Sequence, residues 1–219
     1  MHAHHHHHEH EPRAFDEAFW NARYGEKTRI WSGRPNPQLV AETGGLTPGT
    51  ALDVGCGEGA DALWLAERGW DVTGVDISTV ALARAAEHEQ QQRKPGTRPV
   101  RWEHHDFTQW QPPAQAFDLV TAQYMHLPTV QREPLFRNLA EAVAPGGTLL
   151  IVGHDPSDMQ SEAARPNLPD LYFTGKDIAD MLGEGWEHAV IESRPRETSG
   201  PDGATLAVAD AIYRGRRRS

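Results

Sequence analysis

The sequence predicts an α/β fold, a mostly parallel sheet of seven strands covered by helices on both faces. Three observations carry this. Apolar runs of strand length alternate with segments of helical spacing along the chain. The first run, Ala51–Val54, ends in a glycine-rich turn, Gly55-Cys-Gly-Glu-Gly59, that opens into a helix. The next run, Trp70–Val75, ends on Asp76, twenty-one positions after Gly55, which is the length of one strand-helix-strand unit.

The elements follow in order. Glu11 to Tyr24 has helical spacing, with Phe15, Ala18, Phe19 and Ala22 on one side. Trp31–Pro37 is a turn; Pro37 starts a short helix capped by Asn36 and running to about Thr43. A glycine-proline linker leads to the first strand. A helix over about Gly59–Arg68 and the second strand come next, and then Ser78 caps a helix to about Gln92. Gln92–Pro99 is a polar loop. The third strand begins at Val100 and the fourth at Phe117, a helix covers Thr129–Val143, and the fifth strand follows the Ala144-Pro-Gly-Gly147 turn. Asp155–Phe173 carries three prolines and reads as a long functional loop. Thr174 caps a last helix to about Leu182. Two closing strands, near Trp186–Ser193 and Ala204–Tyr213, form a hairpin through Ser199–Gly203.

The glycine turn after the first strand suits a nucleoside cofactor. Glycines let backbone approach a ligand, the helix start offers unpaired N–H groups, and Asp76 is placed to grip ribose hydroxyls. Nicotinamide and flavin enzymes use such a turn too, and a tight turn without any ligand is a further alternative. The spacing here is G-x-G-x-G rather than G-x-G-x-x-G. Asp53, at the strand tip, repels a pyrophosphate and attracts a sulfonium with an ammonium tail.

These residues resemble the first motif of the class I S-adenosylmethionine-dependent methyltransferases, an acid followed by G-x-G-x-G. The likeness continues in order through Val100–Phe107, Phe117–Tyr124 and Ala144–Val152, from about Phe15 to the C-terminus. It implies a Rossmann-like sheet with one antiparallel strand supplied by the C-terminal hairpin. It implies S-adenosyl-L-methionine as cofactor, S-adenosyl-L-homocysteine as product, and a small-molecule acceptor with a sulfur, oxygen, nitrogen or chalcogen nucleophile. The cofactor-contacting positions it implies are Trp31, Arg34, Asp53, Gly55, Cys56, Gly57, Gly59, Asp76, Ile77, Asp106, Phe107 and Gln123. Two other readings stay open: a non-catalytic cofactor-binding regulator and a nicotinamide-dependent reductase.

Methyl transfer from a sulfonium releases a neutral thioether, so no acid is needed, and a base only where the acceptor must lose a proton. Acceptor-facing groups belong to loops at the carboxyl ends of the strands. The candidates there are Tyr124 as pocket wall, with His126 and His154 as base or orienting groups; each histidine also has a plain structural role open to it. The N-terminal Phe19-Trp-x-x-Arg-Tyr24 and Trp31-Ser-Gly-Arg-Pro-Asn-Pro37 runs are similar to the cover of tellurite-resistance and thiopurine-type methyltransferases. That branch places an arginine before the last turn, a place that Arg196 or Arg194 fills here to meet an anionic acceptor, though without the histidine that precedes it there.

Composition narrows the partners. The 219 residues suit one domain, residues 13–219, with a cover over 13–45. Residues 1–12 hold seven of the 13 histidines and are expected to be a disordered tag or natural tail. A net charge of −10 disfavours nucleic acid, and the Arg214–Arg218 cluster is expected as a solvated end. No apolar run reaches the roughly 20 residues of a membrane span. The single cysteine, Cys56, excludes an internal disulfide and fits the cytoplasm; inside the glycine turn it reads as a small residue in a crowded place. No metal set is expected, and the assembly is expected to be a monomer or homodimer.

Overall fold

The computed structural model describes residues 15–26, 33–160, 168–199 and 203–219. The His-rich segment 1–12 and Trp31 lie outside them. The strands are β1 (Thr50–Val54), β2 (Asp71–Asp76), β3 (Arg101–His104), β4 (Phe117–Gln123), β5 (Val143–His154), β6 (Trp186–Ser199) and β7 (Thr205–Arg217). The helices are α1 (Glu17–Gly25), α2 (Pro37–Thr43), α3 (Ala60–Glu67), α4 (Thr79–Gln92), α5 (Thr129–Ala142) and α6 (Gly175–Leu182).

All seven strands join one sheet in the order β3-β2-β1-β4-β5-β7-β6. Strands β1 to β5 pair in parallel, and β7 runs antiparallel to both β5 and β6. The Rossmann-like sheet with one antiparallel strand is therefore present.

Alternate residues of each central strand feed two cores. Leu52, Val120, Leu149, Ile151 and Tyr213 pack on one face; Ala51, Leu119, Leu150, Val152 and Ile212 pack on the other. This is the period-2 side-chain alternation of a strand buried on both sides. The register levels the carboxyl ends: Val54 lies beside Val75 and Ala122, Gln123 beside Val152, and His154 beside Asp210. Gly55, Asp76, Gln123 and His154 thus emerge along one edge, at the reversal of strand order where open α/β sheets bind ligands.

The helix starts follow the expected caps. The Asn36 side chain accepts the Gln38 N–H at 2.8 Å, Ser78 accepts that of Ala81 at 3.1 Å, and Thr174 forms a capping box with Asp177. Helix α1 starts at Glu17, capped by Asp16.

Two expectations on the C-terminal hairpin need correction. Its strands extend well beyond the expected bounds, because residues 195–199 and 205–209 pair with each other past the end of β5. Pro195 is tolerated because β6 is an edge strand. The terminal arginines do not trail after the last strand: β7 runs to Arg217, and Arg216 and Arg218, though exposed, are bonded to the fold. Arg214 donates to the Glu42 carbonyl at 2.9 Å, Arg216 to that of Gly146 at 3.1 Å and Arg218 to that of Glu184 at 3.0 Å. Arg217 donates to the carbonyls of Ala140, Glu141 and Val143, where the C-terminus of α5 has unsatisfied acceptors and its dipole favours a cation.

Candidate active site

The glycine turn is held by local backbone chemistry. Gly55, Gly57 and Gly59 have φ of 72°, 53° and 89°, a left-handed region that other residues enter at a cost. A Cβ on Gly55 would stand 2.5 Å from Met125 Sδ, and one on Gly59 would stand 2.7 Å from the Trp102 ring. The N–H groups of Gly55 and Cys56 both donate to the Val75 carbonyl, and the Gly57 N–H donates to Asp76 Oδ2 at 2.8 Å. Asp76 Oδ1 accepts the Ser78 N–H at 2.8 Å. Asp76 therefore pins the turn to the end of β2.

Three carboxylates surround this turn: Asp53 and Asp76 from the strand ends, and Asp61 from the first turn of α3. Burial, then the charges of Asp61 and Asp76, push Asp53 well above the usual carboxylate range. Burial raises Asp61 to about 6, against the Asn36 N–H that donates to its Oδ1 at 2.6 Å. Burial also raises Asp76, against backbone hydrogen bonds from Ser78, Gly57 and Ile77. Asp53 Oδ2 is buried with no hydrogen-bond partner among the described residues. An acidic cluster with an orphaned carboxylate oxygen suits a cation brought by a ligand.

The remaining expected cofactor positions lie along the same edge. The Cys56 thiol is buried and its pKa is pushed up by that burial; its Sγ packs against Gly74, in keeping with a small residue in a crowded turn. Ile77 packs on the core and its carbonyl bonds His104 Nε2 at 2.9 Å. Asp106 is exposed and closes a turn by accepting from the Thr108 N–H and hydroxyl, while Phe107 is buried beside it. Gln123 donates to Thr121 Oγ1, and its Oε1 is buried with no partner among the described residues. Arg34 is exposed on the segment entering α2. Helix α1 lies across the ends of β2 and β3: Asn21 accepts from the Ser78 hydroxyl at 2.6 Å, and Glu17 faces His104 at 3.4 Å. On it, Trp20 contacts the buried Tyr24 with ring centroids 6.2 Å apart.

The four expected acceptor-side residues meet at the other half of the edge. Tyr124 follows β4 with φ 53°, a strained value for a non-glycine residue, held by its N–H on the Val152 carbonyl at 2.7 Å. This bend turns the chain out of the sheet and lays the rings over the tip of β5. The His126 and His154 rings stack 4.5 Å apart at 12°, and the Tyr124 ring lies 4.6 Å from His154. The Tyr124 hydroxyl donates to Asp210 Oδ1 at 3.0 Å, and Arg196 Nε donates to Asp210 Oδ2 at 2.8 Å. Burial, then the Asp210 charge, push the phenol up to about 12, so it stays protonated at neutral pH. Arg194 turns away, to Gln38, Glu42 and Glu192. Of the two candidate arginines, Arg196 is the one bonded directly to Asp210.

Two acids in this arrangement escaped the sequence reading. Asp61 looks like any helix-start acid. Asp210 interrupts the apolar run Leu206–Tyr213, and a lone acid in such a strand is the signal that could have revealed it.

A profile described as a methyltransferase domain matches residues 51–147. An uncharacterized methyltransferase of Mycobacterium tuberculosis is 40% identical over 150 residues, 67% of this chain and 70% of the relative. The chain belongs to the class I S-adenosylmethionine-dependent methyltransferases. The trans-aconitate 2-methyltransferase of Rhizobium meliloti is 33% identical over 167 residues, 73% of this chain; the match spans 61% of that enzyme, and 51% of the one from Sinorhizobium medicae. A solved structure described as the conversion of a disulfide bond into a thioacetal group during echinomycin biosynthesis superposes with a TM-score of 0.71. It has 27% identity and 92% coverage of both chains. TehB from Haemophilus influenzae shares the fold at a TM-score of 0.67, 20% identity, and 92% and 67% coverage. For this methyltransferase the residues fit the family's cofactor, whose sulfonium and ammonium cations match the acidic cluster with its orphaned Asp53 oxygen.

Proposed function

We propose that this protein methylates a small molecule bearing an anionic or ionisable nucleophile. The observation that carries the reading is the meeting of Tyr124, His126, His154 and Arg196 beside the acidic cofactor cluster. S-adenosylmethionine supplies an electrophilic methyl group on a sulfonium that leaves as a neutral thioether. Asp53 and the glycine turn Gly55–Gly59 would hold its methionine part. Asp76, Ile77, Asp106 and Phe107 would hold its nucleoside, Gln123 would face both ligands, and Trp31 and Arg34 on the segment 13–45 would cover them.

The protein's own task is to align the acceptor with the methyl carbon and exclude water. Tyr124, held protonated and donating to Asp210, acts as wall and orienting group and not as base. Where the acceptor must lose a proton, the stacked imidazoles of His126 and His154 are placed to take it. Arg196 meets negative charge on the acceptor, whether a carboxylate, a thiolate or an oxyacid. The carboxylate class draws support from the trans-aconitate methyltransferases; a 2-heptyl-1-hydroxyquinolin-4(1H)-one methyltransferase of Mycobacteroides abscessus, 28% identical, points to an oxygen nucleophile on a ring. The net charge of −10 supports a small molecule over nucleic acid as partner, and the single cysteine supports a cytoplasmic setting. No described helix is long and apolar enough to cross a membrane.

The test is calorimetric titration with S-adenosylhomocysteine and then NADH, followed by transfer of labelled methyl to carboxylic acids, thiols, phenols and chalcogen oxyanions. Binding of the first ligand alone, with transfer to one acceptor class, is expected. Binding of NADH alone would replace the reading with a reductase. Binding of S-adenosylhomocysteine without transfer to any acceptor would make the chain a regulator.

A further inference from the structure

At the acceptor end one carboxylate gathers three donors from three parts of the chain. Asp210 is fully buried in β7, where its register neighbours are His154 of β5 on one side and Arg194 of β6 on the other. Its Oδ1 accepts the Tyr124 hydroxyl at 3.0 Å; its Oδ2 accepts Gln38 Nε2 at 3.0 Å and Arg196 Nε at 2.8 Å. These donors come from the bend after β4, the first turn of α2 and the extended part of β6. The strand itself is supported at this point: the Asp155 N–H donates to the Ala209 carbonyl at 3.0 Å, and the Ala209 N–H donates to Asp158 Oδ1 at 2.8 Å.

An apolar residue would complete this strand without the cost of desolvating a charge. A carboxylate there instead converts three separate side chains into one rigid unit. It directs the phenol hydrogen inward, so the Tyr124 ring presents its face to His154. It takes the Nε edge of the Arg196 guanidinium, which fixes the plane of that group. Through Gln38 it ties both to α2, whose own cap residue Asn36 donates its N–H to Asp61 of the cofactor cluster at 2.6 Å.

We propose that Asp210 is the positioning residue of the acceptor end, holding Tyr124 and Arg196 in place against α2. It does not touch the acceptor; it acts through the residues that do. The assignment rests on the methyltransferase reading for its purpose, while its geometry is testable without any acceptor.

The experiment is proton NMR of the histidine ring C–H signals in the full chain, with His126→Gln and His154→Gln used for assignment, alongside calorimetry with S-adenosylhomocysteine. In Asp210→Asn one carboxylate oxygen becomes an NH2 group, so three donors face a single acceptor oxygen and the Tyr124 hydroxyl must turn to accept or leave its place. The expected result is a shift of the His154 signal, as the ring stacked on it moves, with S-adenosylhomocysteine affinity retained. Tyr124→Phe removes only the hydroxyl and is expected to shift the same signal; the double variant is expected to move it no further than Asp210→Asn alone. Unmoved His126 and His154 signals in folded Asp210→Asn would overturn the proposal. Should that variant fail to fold, an unmoved His154 signal in Tyr124→Phe would do so. Failure of the wild-type chain to bind S-adenosylhomocysteine would remove the methyltransferase reading, while the ring signals would still decide the role of Asp210.

Discussion

Replacing Asp61 by asparagine tests the electrostatic logic of the cofactor cluster. Asparagine keeps an oxygen for the Asn36 N–H, bonded at 2.6 Å, and removes the charge. Burial raises the Asp61 carboxyl from 3.8 to about 6. A carboxyl with a raised native pKa makes the native state bind more protons than the unfolded state between those two values. Its contribution to stability is therefore present in full below about 3.8 and is lost as pH rises to about 6. A shift of this size is worth at most about 3 kcal/mol at neutral pH, at roughly 1.4 kcal/mol per unit. Denaturant unfolding of the ligand-free protein from pH 4 to 7 reads this directly, with the wild type and Asp61→Asn compared at each pH so that other groups cancel. The variant should gain on the wild type progressively from pH 4 to 6 and then stay ahead. Asp61→Asn also relieves Asp53, whose carboxyl is raised in part by the Asp61 charge, so the gain includes both effects. The same variant should bind the cationic cofactor less tightly than the wild type does. Parallel pH profiles for the two proteins, or a variant that is less stable at pH 7, would refute the idea that ligand-seeking negative charge is stored here at a cost in stability.

Three further outcomes follow from the same geometry. Asp53→Ala and Asp76→Ala should each weaken S-adenosylhomocysteine binding by tenfold or more, since a hydrogen bond to a charged group contributes about 1.5–3 kcal/mol; calorimetric affinities equal to wild type in both would contradict the placement of the cofactor. Gly55→Ala should lower the thermal midpoint and abolish cofactor binding, because the position has φ 72° and the new methyl would stand 2.5 Å from Met125 Sδ. Tyr124→Phe should slow methyl transfer yet leave the pH profile between 6 and 10 unchanged in shape, because the phenol, raised to about 12, does not ionise in that interval; a rise in rate with pH that the wild type shows and the variant lacks would make Tyr124 a base.

Much of the region around the glycine turn was legible because its determinants are local. The glycine turn, the acids at strand ends and the helix caps at Asn36, Ser78 and Thr174 each depend on a few consecutive residues. The acceptor half was legible only as a set of candidates on the loops after β4 and β5. What joins them is not local: Gln38 and Asp210 are 172 positions apart, and Tyr124 and Asp210 are 86 apart. The contact exists because β7 is inserted between β5 and β6, a topological fact that no window of sequence displays. The terminal arginines were misread for the same reason. Their partners are the carbonyls at the end of α5 and around Gly146, which come near only when β7 lies beside β5.

The two halves differ in charge in a way that matches the chemistry each would handle. Around the glycine turn, burial raises the pKa values of Asp53, Asp61 and Asp76, and only at Asp53 do neighbouring carboxylates add to it, so these acids gain from a cation brought into their company. At the acceptor end the buried Asp210 is balanced by Arg196, and the phenol of Tyr124 is neutral. A cation is thus drawn to one side, and an anionic nucleophile meets arginine and imidazole on the other. Methyl transfer from a sulfonium to an anion annihilates both charges, so a site that separates them by sign holds the reactants better than the products. After transfer a neutral thioether would give the acidic cluster no cation to hold, and a methylated acceptor would offer Arg196 less negative charge. The first turn of α2 touches both halves, through the Asn36 N–H on Asp61 and the Gln38 amide on Asp210. A short helix bonded to both carboxylates would, on the proposed reading, hold cofactor and acceptor in one frame, so Asn36–Gln38 would share the alignment of the reaction with the rings of Tyr124, His126 and His154.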